Sequence, residues 1–381
     1  MKTIPYSRQN INKNDIKEVI KVLGSDFLTQ GPKLKEFEIS LCKYTGASYA
    51  VAVSSGTAAL HIACLAAGIK PGDEAITSPL TFLASANCIL YCGADPIFSD
   101  IEPDTGNIDP VGLEKNISKR SKVIIPVHFA GHPCDLKAIR KIAKKYGLTV
   151  IEDAAHSLGA KYKNSKIGSG EYSDITILSF HPVKHITTGE GGAVLTNSKL
   201  LYDKLIMLRS HGVTKEKFNN VPHGGWYYEM QLLGYNYRLT NIQSALGISQ
   251  LKRIEYFVKR RRNIAQRYNE AFLNNPYFYT PEEKDYAYSS YHLYPLRLKK
   301  EYISMRSRIF DGLRRCGLGV QVHYIPVYLQ PYYSGLGFKK GLCPKAEGFY
   351  FSEISIPLFP GMKNSEVDTV IGNVRRAFSR L

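Results

Sequence analysis

Ser179-Phe-His-Pro-Val-Lys-His-Ile-Thr-Thr-Gly-Glu-Gly-Gly192 places one lysine, Lys184, just after an apolar strand and just before a glycine-rich turn. Lysine side chains are ordinarily solvated. One held in a dry, preformed pocket can instead act as an amine nucleophile or imine partner. Upstream, Asp153 follows the strand Thr149-Val-Ile-Glu152, and Ser54-Ser-Gly-Thr57 lies between a strand and a helix. All three features therefore fall where a strand gives way to the next element. In an open α/β sheet that edge is where ligands bind.

The surrounding pattern predicts such a sheet. Apolar stretches at 49–54, 74–78, 96–100, 122–127, 148–152, 174–180 and 192–196 read as strands, and helical periodicity covers 57–68, 82–92 and 135–146. Alternation of this kind implies an α/β fold, a mostly parallel seven-stranded sheet between helices. Asp135 can cap the third of these helices, Gly147 ends it, and Lys144 and Lys145 suit its last turn. Amphipathic helices over 13–24 and 33–44 come first, separated by Asp26-Phe-Leu-Thr-Gln-Gly-Pro32. Thr240 can cap a long helix from Asn241 that leads out of the large domain. From about residue 255 aromatic and basic residues increase, and Tyr291–Leu298 reads as a strand of another sheet in a smaller C-terminal α+β domain. The expected division is a large domain over 1–250, its N-terminal segment packing on the small domain, and a small domain over 251–381.

A chain of 381 residues, 44% hydrophobic and 22% charged, has material for two domains with sizeable cores and no compositional bias toward disorder. Its net charge of +17 favours anionic partners, whether nucleic acid, membrane surface or a phosphorylated substrate. The densest run, Lys259-Arg-Arg-Arg262, reads as a solvated helix face rather than a nucleic-acid patch. No helix-turn-helix or aromatic-basic motif accompanies it. Seven cysteines without a CxxC pair read as buried thiols in a reducing compartment. No apolar leader follows Met1-Lys-Thr3 and no apolar run is long enough to span a bilayer, so a cytoplasmic location without membrane partners is expected.

Lysine, strand-end aspartate and small-residue helix start together match the needs of a pyridoxal 5′-phosphate (PLP) site: an imine lysine, a partner for the pyridine nitrogen and a phosphate cradle. The free N–H groups and dipole at a helix start near Gly56 and Thr57 favour a phosphate, although the same residues also make an ordinary capped helix. Asp153 can hold the pyridine nitrogen protonated or serve as a turn residue. His156 can bond a cofactor oxygen or simply pack. Phe82 can lie on the ring or in a core, and Ser179 and Asn236 can both donate to the phosphate once folded together.

In order along the chain, Ser54-Ser-Gly-Thr-Ala-Ala-Leu60, Asp153-Ala-Ala-His156, Ser179-Phe-His-Pro-Val-Lys184, Gly189-Glu-Gly-Gly192 and Gly234-Tyr-Asn-Tyr-Arg238 resemble the DegT/DnrJ/EryC1/StrS aminotransferases from end to end. The resemblance implies a fold-type I PLP-dependent enzyme, a homodimer with shared active sites, that aminates a nucleotide-linked keto sugar. By motif, Lys184 would be the catalytic imine lysine, Asp153 the pyridine-nitrogen partner, His156 the O3′ contact and Phe82 the stacking ring. Gly56, Thr57, Ala58 and Ser179 would hold the phosphate, with Asn236 supplied by the neighbouring subunit.

A narrower likeness, to members acting on UDP-linked sugars of the pseudaminic acid pathway, rests on Tyr6-Ser7, Leu28-Thr-Gln-Gly31, His181–Thr188, Asn241–Gly247 and Gln321-Val-His-Tyr-Ile-Pro326. It implies substrate contacts at Tyr6, Asp26, Phe27, Leu28, Thr29, Gly56, Ser179, Asn236, Gln321, Val322, His323 and Tyr324. Tyr328 departs from the histidine many relatives carry there. The implied reaction is a ping-pong transamination in which L-glutamate leaves its amine and a UDP-linked 4-keto-6-deoxy-N-acetylhexosamine takes it at C4. Another nucleotide-linked keto sugar is the alternative substrate. A related dehydratase would carry histidine where Lys184 stands.

Overall fold

The computed structural model describes residues 3–379. Seven strands form one sheet: β1 (Tyr49–Val53), β2 (Glu74–Thr77), β3 (Asp95–Phe98), β4 (Ser121–Ile125), β5 (Thr149–Asp153), β6 (Ile175–Ser179) and β7 (Gly192–Thr196). Their order is β1-β7-β6-β5-β4-β2-β3. The neighbours from β6 through β3 are parallel, whereas β7 runs antiparallel to both β6 and β1. All seven are the strands expected from the apolar pattern, with ends shifted by a few residues. One shift matters: Asp153 is the last residue of β5 rather than the residue after it.

Both faces of the sheet are covered, which is why its strands read as continuous apolar runs rather than alternating ones. Ala50 and Ala52 of β1 face one core and Val51 and Val53 the other, as the two-residue period of a strand requires. The helices around the sheet include α1 (Lys13–Leu23), α2 (Pro32–Thr45), α3 (Gly56–Ala66), α4 (Ala84–Tyr91), α5 (Leu136–Tyr146), α6 (Lys199–Arg209), α7 (Asn241–Leu251) and α8 (Ile254–Ala271). Phe37, Ile139 and Ile248, from α2, α5 and α7, fill the first core. Ala59, Ile89 and Leu205, from α3, α4 and α6, fill the second. Sequence periodicity did not reveal α6, because exposed Leu200 and half-buried Leu201 and Ile206 blur its apolar stripe.

A second, three-stranded antiparallel sheet joins β8 (Phe278–Tyr279), β9 (Tyr294–Leu298) and β10 (Glu353–Ile356). Its core includes Tyr268, Leu296, Ile354, Val367 and Val370, and Ile4 from the N-terminal segment packs into it. Ile4 also bridges Leu318.

Two expectations are corrected here. The long helix from Asn241 is two helices, since Arg253 leaves helical geometry at φ −108°, ψ 4°. Its guanidinium bonds Asn10 O (2.8 Å) and also reaches Asp15. The Lys259–Arg262 run is a solvated face only in part: Lys259 is exposed, but the run also turns inward. Arg261 is wholly buried, and its Nη1 donates to the carbonyls of Tyr291, His292 and Leu358 at 3.3, 3.2 and 3.0 Å. Arg262 pairs with Glu283 at 2.6 Å. Arg261 shares a face of α8 with Val258, Ile264, Ala265 and Tyr268, so the 3.6-residue period sends it inward despite its charge. Arg261→Met is therefore expected to lower unfolding stability by about 2–4 kcal/mol, because it leaves buried carbonyls unpaired. Urea denaturation measures this.

Candidate active site

Because β7 is antiparallel to both its neighbours, β1 points the same way as β6 and β5. The residues that follow β1 and those that end β5 and β6 consequently meet at one edge of the sheet. They line a cavity of about 460 Å³ together with Tyr6, Phe82, Lys184, His323 and Tyr324. This volume lies in the range of small-molecule sites.

Asp153 is buried at the cavity wall. Its Oδ2 accepts from Ser85 Oγ at 2.6 Å and its Oδ1 from Ala155 N at 3.1 Å. Ser85 Oγ is in turn bonded to Thr81 Oγ1 at 2.7 Å. The carboxylate is thus oriented by two donors and a supporting hydroxyl. Lys184 sits in the turn after β6, its N–H donating to His181 O at 2.9 Å. Among the described residues no carboxylate lies within 4 Å of its ammonium. Burial pulls its pKa down to about 8, with the Asp153 charge opposing the shift. A lysine lowered this way is a competent nucleophile nearer neutral pH.

Gly56 lines a further side of the cavity, and Gly192 lies behind it. A Cβ on Gly56 would stand 2.9 Å from Ser179 Cβ, and one on Gly192 would stand 2.4 Å from Ser55 O. Absence of both side chains lets α3 begin against the ends of β6 and β7. Gly56 and Thr57 occupy the first turn of α3, where N–H groups have no partner within the helix. Ala58 differs: its N–H donates to Ser55 Oγ at 3.0 Å, and it does not line the cavity.

His156 both bonds and packs. Its Nε2 shares a hydrogen bond with the Tyr324 hydroxyl at 3.2 Å, and its ring lies 4.3 Å from that of His292. Burial first, and the Lys184 charge next, push it well below its ordinary pKa, so it is neutral. Phe82 precedes α4 rather than starting it, and its exposed ring reaches the cavity 6.4 Å from the Tyr324 ring.

Tyr6, Gly56, Ser179, His323 and Tyr324 gather at this cavity; Asp26, Phe27, Leu28, Thr29, Asn236, Gln321 and Val322 do not line it. The carbonyls of Phe27 and Leu28 instead accept from Asn241 Nδ2 and N at 2.8 and 2.9 Å, and Thr29 bridges Thr240. Asn236 bridges Ser210, and Gln321 bridges Ser355. The departure at Tyr328 lies outside the site: its ring is buried and its hydroxyl donates to Glu347 at 2.6 Å. Ser85, Thr81 and His181 were missed by sequence reasoning. The four-residue spacing of Thr81 and Ser85 was visible, but nothing local ties either to Asp153, which lies 68 positions beyond Ser85.

A lysine and an oriented carboxylate across one cavity at the carboxyl edge of a mostly parallel sheet define an α/β enzyme with the architecture of the fold-type I aminotransferases. The chain belongs to the DegT/DnrJ/EryC1/StrS aminotransferase family, whose profile matches residues 9–375. A Campylobacter jejuni relative, UDP-4-amino-4,6-dideoxy-N-acetyl-β-L-altrosamine transaminase, is 43% identical over 357 residues, covering 93% of this chain and 92% of the relative. Among solved structures, Helicobacter pylori PseC, an aminotransferase involved in the biosynthesis of pseudoaminic acid, matches with a TM-score of 0.93 at 36% identity over 100% of both chains. A Streptococcus pneumoniae protein described as a sugar aminotransferase, solved in its PLP form, matches at 0.92 and 32% identity over 99% of both chains. Among the described residues no helix is long and apolar enough to cross a membrane, and no group of three His, Cys, Asp or Glu side chains could hold a metal ion.

Proposed function

We propose that this chain is a PLP-dependent transaminase that moves the amino group of L-glutamate to C4 of a UDP-linked 4-keto-6-deoxy-N-acetylhexosamine. The observation that carries the reading is the meeting of Lys184, Asp153 and the open first turn of α3 around one cavity. The residues fit the cofactor: an uncapped pair of N–H groups and a helix dipole suit its phosphate, a buried carboxylate suits its pyridine nitrogen, and a lysine of lowered pKa suits its aldehyde. The name of the Campylobacter relative supports the UDP-sugar substrate, and that of the Helicobacter structure supports the pseudaminic acid pathway.

When bound, PLP supplies an electron sink for the carbanion formed at the substrate carbon. Lys184 holds the cofactor and, once released, moves a proton off and onto that carbon. Asp153 would keep the pyridine nitrogen protonated, Gly56, Thr57 and Ser179 would hold the phosphate, Phe82 would stack on the ring, and His156 would contact O3′. Asn236 and the Asp26–Thr29 loop act on the site of a neighbouring copy in a homodimer, which accounts for their position away from this chain's own cavity. Tyr6, His323 and Tyr324 face the sugar, and Gln321 and Val322 act from the same segment behind them. The protein is cytoplasmic, with its large and small domains divided near residue 250.

A panel of UDP- and dTDP-linked 4-keto sugars offered with L-glutamate tests the substrate. We expect 2-oxoglutarate release with the UDP-linked N-acetylated sugar; turnover of dTDP sugars alone would overturn the assignment.

A further inference from the structure

His323 belongs to a hydrogen-bonded chain that starts outside the cavity. On β10, Glu353 and Ser355 are two residues apart and so point to the same side of the strand; both are wholly buried. Glu353 Oε2 accepts from His323 N at 2.7 Å, and Glu353 Oε1 meets Ser355 Oγ. Ser355 Oγ meets His323 Nδ1 at 2.9 Å. The backbone is clamped as well, since Ser355 N donates to Gln321 O at 2.8 Å and Gln321 N to Ser355 O at 3.2 Å. At the far end the His323 ring lines the cavity 5.6 Å from the Tyr6 ring, and its Nε2 has no hydrogen-bond partner among the described residues.

Two proton arrangements satisfy this chain. With Glu353 ionised, Ser355 donates to Oε1, His323 Nδ1–H donates to Ser355 Oγ, and Nε2 is a bare acceptor. With Glu353 protonated, Oε1–H donates to Ser355 Oγ, Ser355 donates to Nδ1, and Nε2 carries the hydrogen. One proton taken up at Nε2 from the cavity, with the Nδ1 hydrogen passing to Ser355 Oγ and the Ser355 hydrogen to Glu353 Oε1, thus changes the cavity end from acceptor to donor, with no movement of heavy atoms. We propose that Glu353 and Ser355 are positioning residues that set which nitrogen of His323 carries hydrogen, and that protonated Glu353 makes Nε2–H a donor to a carbonyl or carboxylate oxygen of the substrate. The inference rests on the transaminase reading for the identity of that substrate.

The surroundings agree. Burial, reinforced by the Lys184 charge, holds His323 at a pKa of about 3, so the ring stays neutral and only its tautomer is free. Burial raises Glu353 to about 8, opposed by its bonds from Ser355 and His323 N and by the Arg306 charge. The flanking phenols, Tyr6 and Tyr324, are raised by burial and stay un-ionised. The donor arrangement therefore holds below about pH 8.

The test uses full-length PLP-loaded protein labelled with ¹⁵N in its histidine rings, with His323→Gln to assign the signals. Wild type is expected to carry hydrogen on Nε2 below about pH 7 and on Nδ1 above about pH 9. In E353Q the amide oxygen accepts from His323 N and the amide NH₂ donates to Ser355, which locks Nε2–H at both pH values. The KM for the sugar is expected to rise about tenfold across this range in wild type, the worth of one hydrogen bond, and to stay flat in E353Q. Ser355→Ala is expected to remove the pH dependence of the tautomer. One tautomer at both pH values in wild type, or parallel KM profiles in wild type and E353Q, overturns the proposal. Retained visible PLP absorption in E353Q distinguishes that failure from a failure of the transaminase reading.

Discussion

Lys184→Ala is expected to abolish the visible absorption of lysine-bound PLP and to lower kcat by roughly 10⁴-fold or more, because one amine both anchors the cofactor and carries the proton. Borohydride reduction followed by peptide mass mapping should leave the cofactor on the Lys184 peptide in wild type and on no peptide in the variant. An unchanged visible band in Lys184→Ala would sink the assignment. The same substitution has a cofactor-free signature with a definite sign. Burial lowers the folded-state pKa of Lys184 to about 8 from 10.5. Between those values the unfolded chain binds more protons, so stability of the apoprotein rises with pH through that window. Below it the full cost of burying the ammonium is present. Lys184→Ala should lose this rise, and urea denaturation at the two ends of the window measures it.

Asp153→Asn is expected to lower kcat by roughly 10² to 10³-fold while PLP absorption persists, since it removes a preorganised charge without removing the anchor. The geometry makes this substitution informative. Asn can still accept from Ala155 N, but an amide NH₂ at the Oδ2 position meets the Ser85 hydroxyl, which must turn toward Thr81. Shape is preserved and charge is lost, so a drop in kcat reports the charge. Full turnover in Asp153→Asn would show that the carboxylate does not act on the cofactor. Single-turnover measurement with each half-substrate separates the chemical steps from binding.

Much of the scaffold was legible because its signals are local. The seven strands are apolar runs bounded by turns, and Asp153, Ser179 and the Ser54–Thr57 turn each announce a strand end within a few residues. Lys184 was found the same way, five positions after Ser179. Ser85 was not, since it lies on α4 while its partner Asp153 ends β5, and no spacing rule connects them. The burial of Arg261 was misread because a run of four cations dominates its neighbourhood, while the apolar face it shares spans three helical turns. The break between α7 and α8 was missed because Arg253 is a good helix former, and the Asn10 and Asp15 groups its guanidinium contacts at the break lie more than two hundred residues away.

By itself the amino-acid order determined the α/β class, the seven strands, the lysine and aspartate at their ends and the family likeness, since period and strand-end chemistry are properties of short stretches. Only the tertiary structure decided which of the expected residues share one cavity, how Ser85 orients Asp153, and that Glu353 and Ser355 reach His323. The shared cavity depends on strand order and on the antiparallel insertion of β7, and the reach to His323 on the pairing of Gln321 with Ser355. The apolar period of a strand marks it as a strand but carries no information about its neighbour.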